Sequence, residues 1–264
     1  MAGTDRARGA RPAPSACGGR GMSAAQRHVA ITGASGGIGQ ALARQFAADG
    51  HRVSAMGRNE AVLAELAAAA PNITPITVDV ADGASCAAGF AAAEAAHGPV
   101  EHLIAAAAVY PKAHFLDQTP EHLDDVLRIN VVGVANAVRA VLPAMLTRNY
   151  GRVVVMGSLA DMNPLPGSLA YSVSKGALHS LVRGIAGEID RDRYPDVLVN
   201  EFSPGATRTA MSDYGHAPEE IYAMLLPLLT CGRDGPHGRF FQEWGEIRLG
   251  ESWKGTIKRI VLRR

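Results

Sequence analysis

His28-Val29-Ala30-Ile31-Thr32-Gly33-Ala34-Ser35-Gly36-Gly37-Ile38-Gly39 is the stretch that decides the fold. Residues 28–32 form a short, largely apolar run that stops at a glycine, and they read as a buried strand. Ile38, Leu42 and Phe46 then recur four residues apart, so 37–49 read as a helix. The glycines between the two elements let backbone approach closely. The helix N-terminus adds free N–H donors and the positive end of its dipole, which together suit a pyrophosphate. Gly33, Ser35, Gly37, Ile38 and Gly39 are the candidate contacts. Their spacing is G-x3-G-x-G rather than the usual G-x-G-x-x-G, and a merely structural turn is the alternative.

Outward from this turn, strands and helices alternate. Residues 52–56, 73–80, 103–107, 152–156 and 197–202 read as further strands. Residues 60–70, 84–96, 121–148 and 170–191 read as helices, with a kink or break expected at Pro143. Such alternation predicts an α/β fold: a Rossmann-type, doubly wound parallel sheet in three α/β/α layers with right-handed crossovers. The chain has 264 residues, 47% of them hydrophobic and 19% charged, which allows one domain over 28–264 with an ample core. A substrate lid is expected around 205–230, where Met, Leu, Tyr and Pro are frequent.

Residues 1–27 carry five arginines and one acid. They are expected to be a disordered extension or to precede a start at Met22; an arginine-rich transit peptide is the alternative. The tail ends in basic residues, among them Lys254, Lys258 and Arg259. Net charge is +1, so there is no electrostatic case for nucleic acid. Three cysteines, widely spaced, suggest neither a disulfide framework nor a metal site, and fit a reducing, cytoplasmic setting. No uninterrupted apolar run reaches the roughly 18 residues of a membrane span, so no membrane association is expected.

Two further features carry chemistry. The second strand ends at Met56-Gly57-Arg58, where a dinucleotide site usually has an acid to hold ribose hydroxyls. Arg58 can instead pair with a 2′-phosphate, which favours NADP(H) over NAD(H); capping or solvation of the next helix is the alternative. Asp79-Val80 closes the third strand, where the carboxylate could accept from an adenine amino group or cap the helix near Ala84. The other feature is Tyr171-Ser172-Val173-Ser174-Lys175. In a helix, Tyr171 and Lys175 share a face about one turn apart. At about 4 Å and an effective dielectric near 20, the cation would favour the phenolate by roughly 4 kcal/mol. The tyrosine would then exchange a proton near neutral pH.

Taken together, these motifs resemble the short-chain dehydrogenase/reductase family in its compact single-domain form, over residues 28–245. The matches are TGASGGIG at 32–39, Asp79, Asn130, Ser158, YSVSK at 171–175, and Pro204-Gly205 with Thr209. The resemblance implies that Ser158 hydrogen-bonds a substrate carbonyl, Tyr171 is the acid/base, and Lys175 binds the nicotinamide ribose and depresses the tyrosine. It implies that Asn130 holds a water linking Lys175 to solvent. Pro204, Gly205, Thr207 and Thr209 would contact the nicotinamide amide and the phosphates. One motif departs: the family's Asn-Asn-Ala-Gly is here Ala105-Ala106-Ala107-Ala108. That puts loop geometry in question around Ala106 and Ala107, which would still border the cofactor.

The expected pocket walls are 109–116, 159–169 and 211–226. They include Tyr110, Phe115, Leu159, Met162, Leu165, Met211, Tyr214, Tyr222 and Met224, with Lys112, His114 and Arg208 as isolated cations. This lining suits an uncharged, fairly apolar ketone, aldehyde or alcohol. The family's habit implies a homodimer or homotetramer. The competing readings are a non-catalytic NADP-binding regulator or scaffold, and an epimerase or dehydratase on the same fold.

Overall fold

The computed structural model describes residues 26–243 and 245–248; the leader before Gln26 and the basic tail after Arg248 lie outside the described residues. The elements run β1 (His28–Thr32), α1 (Gly37–Ala48), β2 (Arg52–Gly57), α2 (Glu60–Ala69), β3 (Ile73–Thr77), α3 (Gly83–His97) and β4 (His102–Ala105). They continue with α4 (Pro120–Leu127), α5 (Gly133–Thr147), β5 (Gly151–Met156), α6 (Leu169–Glu188), β6 (Val197–Ser203) and α7 (Glu220–Thr230). Two short strands follow, β7 (Phe240–Gln242) and β8 (Gly245–Ile247).

The strands form one sheet in the order β3-β2-β1-β4-β5-β6-β7-β8. All neighbours are parallel except β7 and β8. The order reverses between β1 and β4, which leaves a crevice at the C-terminal strand ends where the crossovers diverge. Helices cover both faces, so the central strands are buried throughout.

Alternation along each strand sends residues to two separate cores. Ile31, Val154 and Phe202 pack with Leu42 and Phe46 of α1, Leu63 of α2 and Leu225 of α7. Val153, Val155, Val197 and Val199 pack with Phe90 of α3, Val138 and Val141 of α5, and Leu178 of α6.

The helical break between 121 and 148 falls elsewhere than expected. It is a π-turn at Arg128–Val132, while α5 runs through Pro143. Pro143 and Arg139 both lie on the exposed side of α5, so the carbonyl that loses its N–H partner can face water. An 18-residue window within Pro120–Thr147 is apolar enough on average to pass for a membrane span, but charged residues such as Arg128 and Arg139 interrupt the stretch, as expected. Its α5 portion packs Val134, Val138, Val141 and Met145 into the core below the sheet.

The expected lid divides in two. Residues 220–230 form α7, whose Ile221, Tyr222, Met224, Leu225, Leu228 and Leu229 are core side chains. Tyr222 stacks edge-on against Phe46, with ring centroids 4.8 Å apart. The apolar richness of this segment therefore serves scaffold packing, and only the residues before it border the crevice.

Candidate active site

A cavity of about 840 Å³ opens at the C-terminal ends of the parallel strands. Every site residue expected from the sequence lines it except Asn130. The fold thus gathers residues from seven separate chain segments at one place.

At one end lies the glycine turn. Gly33 has φ +72°, and a Cβ there would sit 2.7 Å from the backbone of Ala107. Only a glycine lets the turn after β1 press against the loop after β4. A Cβ on Gly39 would overlap the Gly33 carbonyl. The structural and ligand-binding readings of this turn therefore coexist. Helix α1 begins with Gly36 as N-cap, without a side-chain cap and without an acid in its first turn. Its first N–H groups and its dipole are left for an anion, a good fit to a pyrophosphate.

Arg58 is exposed at the cavity edge and forms no ion pair among the described residues. A Cβ on Gly57 would lie 2.9 Å from Ser35 Oγ. A side chain at 57 would therefore require Ser35 to turn its hydroxyl aside. Arg58 and Ser35 both border the cavity at this end. Asp79 lies two residues beyond the end of β3 and bonds the amide of Ala81 through Oδ1. It does not cap α3: Asp82 does, accepting from Ala84 and Ser85. Asp79 and Val80 both border the cavity.

The alanine loop keeps its place without asparagines. Ala105 is buried, Ala106 packs against one core and Ala107 against the other. Thr32 Oγ1 accepts a long bond, 3.4 Å, from the Ala107 amide. Apolar packing thus substitutes for the polar stitching between neighbouring strands.

At the other end, α6 presents Tyr171 and Lys175 one turn apart, and Ser158 follows β5. Ser158 Oγ accepts from the Ala160 amide at 3.1 Å and lies near enough to the Tyr171 hydroxyl to favour its phenolate. Lys175 Nζ donates to the Met156 carbonyl at 2.8 Å and lies 5.4 Å from the Tyr171 ring centroid. The expected depression of Tyr171 by the lysine is not found. Burial raises the phenol, the Ser158 bond pulls it back, and the nearby Tyr110 adds to the rise. Burial also pulls Lys175 down to about 8, with Glu201 acting against it. Desolvation outweighs attraction here because the ammonium is bonded to a carbonyl rather than to the phenol.

Asn130 lies behind the cavity wall, fully buried in the π-turn. Its Oδ1 accepts from the Val109 amide at 2.8 Å, and its Nδ2 donates to the Val109 carbonyl and to Ser174 Oγ, both at 3.0 Å. Both N–H donors are thereby used, and a water relay would have only one side-chain lone pair left. The side chain clamps the loop after β4 as a neighbouring strand would.

Pro204, Gly205, Thr207 and Thr209 curve over the opening, and a Cβ on Gly37 would lie 2.9 Å from Thr209 Cγ2. Tyr110, Leu159, Leu165, Met211 and Tyr214 form apolar walls, with the exposed Lys112 above the Tyr110 ring. Phe115 and Met162 are exposed and outside this lining, as are Tyr222 and Met224 in the core. Tyr110 stacks on Tyr171 at 4.4 Å, a contact that no spacing rule foretold. Two residues of the site environment were missed altogether: His179 and Glu201, bonded at 2.6 Å. Their signals were a histidine four residues after Lys175 and a lone acid in an apolar strand. Among the described residues, no cluster of His, Cys, Asp or Glu is placed to hold a metal ion.

Comparison with known proteins agrees with this fold. A family model described as short chain dehydrogenase matches residues 27–219. Oxidoreductase UcpA of Salmonella typhimurium is 37% identical over 69% of this chain and 70% of its own length. A 2-(R)-hydroxypropyl-CoM dehydrogenase of Xanthobacter autotrophicus is 34% identical over 76% of this chain and 82% of its own. A solved short chain dehydrogenase/reductase family protein superposes with a TM-score of 0.71 and 29% identity, covering 82% of this chain and 94% of that one. A gluconate 5-dehydrogenase from Burkholderia cenocepacia, at 24% identity and a TM-score of 0.73, shares the fold over 82% of this chain and 92% of that one.

The Asn130 clamp yields a stability test. Asn130→Ala leaves the half-buried amide and carbonyl of Val109 without their partner, and each such group costs up to about 1–3 kcal/mol where water does not reach it. Urea unfolding should show a loss of at least about 2 kcal/mol. A loss well under 1 kcal/mol would mean that the clamp is dispensable.

Proposed function

The chain belongs to the short-chain dehydrogenase family, and on that premise we propose that it is an NADP(H)-dependent oxidoreductase interconverting an uncharged, fairly apolar ketone or aldehyde and its alcohol. The observation that carries this reading is the convergence of Tyr171, Ser158 and Lys175 in the same cavity as the uncapped helix N-terminus. A nicotinamide cofactor, when bound, supplies the hydride.

The residues of this chain supply the rest. The glycine turn and the N–H groups of α1 hold the pyrophosphate, and Arg58 with Ser35 takes the 2′-phosphate. In carbonyl reduction, Ser158 and Tyr171 both donate hydrogen bonds to the substrate oxygen, where negative charge develops. Tyr171 then transfers its proton to that oxygen. Because burial raises its phenol, Tyr171 is protonated at neutral pH and ready to act as the acid. Lys175, one turn along α6, offers its ammonium to the resulting phenolate and to ribose hydroxyls. The walls of Tyr110, Leu159, Leu165, Met211 and Tyr214 favour an apolar substrate body.

Homo-oligomerisation is part of the proposal. Val132, just before α5, and Val173 of α6 are 48% and 47% exposed, on neighbouring helical segments. Burial of this surface between two copies would remove apolar area from water. Sedimentation velocity of the full chain at micromolar concentration should give a dimer or tetramer, and a monomer would reject this part.

Two experiments test the chemistry. With NADPH absorbance and a panel of ketones and aldehydes, the wild type should turn over, while Tyr171→Phe should lose roughly 100-fold or more. Full activity in that variant would reject the proton-transfer role. Arg58→Ala should weaken NADPH binding by about tenfold or more in titration calorimetry and leave NADH nearly unchanged. Equal losses for both cofactors would reject the 2′-phosphate reading. A regulator that binds the cofactor without turnover would pass the Arg58 test and show no oxidation with any substrate.

A further inference from the structure

Strand β6 holds an acid where an apolar residue is expected. Val197 and Val199 point into the core beneath α6, and Glu201 follows in the same alternation, opposite Val155 of β5. Glu201 is 1% exposed, and a carboxylate in such a place is strongly disfavoured unless it is paired.

Its pairing is built from two sides. His179 Nδ1 lies 2.6 Å from Glu201 Oε2, and His179 Nε2 lies 2.9 Å from Asp161 Oδ2. Ionised carboxylates only accept, so with Glu201 and Asp161 both ionised the ring donates from both nitrogens as an imidazolium, and its partners raise it accordingly. Lys175 and His179 are one turn apart on α6 and face the strand together. Glu201 Oε1 has no hydrogen-bond partner. It packs against Gly157, where a Cβ would overlap it, and Lys175 Nζ bonds the carbonyl of the adjoining Met156. The free carboxylate oxygen and the ammonium thus meet the same Met156–Gly157 segment. Buried Glu201, half-buried Asp161, His179 and Lys175 form one cluster of charges beside the Met156–Gly157 segment.

We propose that Glu201, fixed by His179 and Asp161, is the buried counter-charge that keeps Lys175 protonated and positioned beside Tyr171. The inference rests on the reading of Lys175 as part of the proton-transfer set. It assigns Glu201, His179 and Asp161 as positioning residues, since none of the three lines the cavity.

The electrostatics run in the same direction. Burial pulls Lys175 down to about 8, and Glu201 is the charge that opposes this. Burial would lower His179, but its two carboxylate partners outweigh that and raise it. Burial raises Glu201, while His179 and Lys175 pull it back. The other groups around Lys175 are the phenols Tyr171 and Tyr110. From α4 and the π-turn come uncharged Asn130 and the solvent-exposed Asp124–Arg128 pair. Phe240 of β7, stacked on His179 at 4.5 Å, carries no charge.

The sign of the effect follows. Glu201→Gln removes the negative charge that favours the ammonium, so Lys175 should bind its proton roughly tenfold more weakly. The measurement is the titration of the lysine side-chain carbon signals in isotope-labelled protein without cofactor, with Lys175→Arg to assign the resonance. In Glu201→Gln the Lys175 midpoint should move to lower pH; a midpoint within twofold of wild type would overturn the proposal. His179→Gln should shift it the same way, because Glu201 without its imidazolium takes up a proton. That variant serves if Glu201→Gln does not fold. Wild type itself provides a check needing no variant: at pH 7 both ring nitrogens of His179 should be protonated by nitrogen NMR, and a neutral tautomer would sink the arrangement. In turnover assays the alkaline limb of kcat/KM should move to lower pH in Glu201→Gln. A limb that stays while the lysine titration moves would confine Glu201 to a structural role. Failure of wild type to turn over would remove the oxidoreductase reading and leave the titration result standing.

Discussion

The molecule depends on one close approach, that of the turn after β1 to the loop after β4. These strands are neighbours in the sheet, and the chain diverges between them. Gly33 at φ +72° lets the two backbones meet with no side chain between them. Gly39, one turn into α1, lets the helix settle on the same carbonyl. The glycines therefore fix the direction in which α1 leaves the sheet, and so where its N–H donors point. Everything that follows in the cavity is arranged around that direction.

The second determinant is desolvation. Buried ionisable groups normally lose charge, and the site must retain some of it. Burial raises Tyr171 and so keeps its phenol neutral. Lys175 is pulled toward neutrality and is held back by an acid on the strand below. The same burial thus keeps one residue neutral and works against the charge of the other. Apolar packing shows a comparable exchange at 105–108, where alanines bedded in two cores stand where polar stitching was expected. The fold tolerates that change because the loop is also clamped from behind by Asn130.

Much of the fold was legible in the sequence, because it rests on local signals. The apolar runs, the four-residue helical spacing and the glycine turn each act over a few residues. The six main strands and the helices through α6 fall within a few residues of their expected places. Where the reading failed, a tertiary contact had overridden a local one. Pro143 did not break α5 because it faces water, and the π-turn nearby has no sequence signature of its own. The lid divided because Tyr222 and Met224 found α1 and the sheet to pack on. Asp79 lost the capping role to Asp82, three residues later, where the helix begins.

By itself the sequence determined the order of the elements, the glycine turn, and which residue types could move a hydride and a proton. These are matters of spacing and chemical identity. Only the tertiary structure decided how those residues act on one another. That Ser35 packs against Gly57, that Tyr110 lies on Tyr171, and that Glu201 is the charge acting on Lys175 all depend on residues far apart in the chain. Burial and pairing set the charge of Tyr171 and Lys175, and both are properties of the packed sheet and helices rather than of any motif.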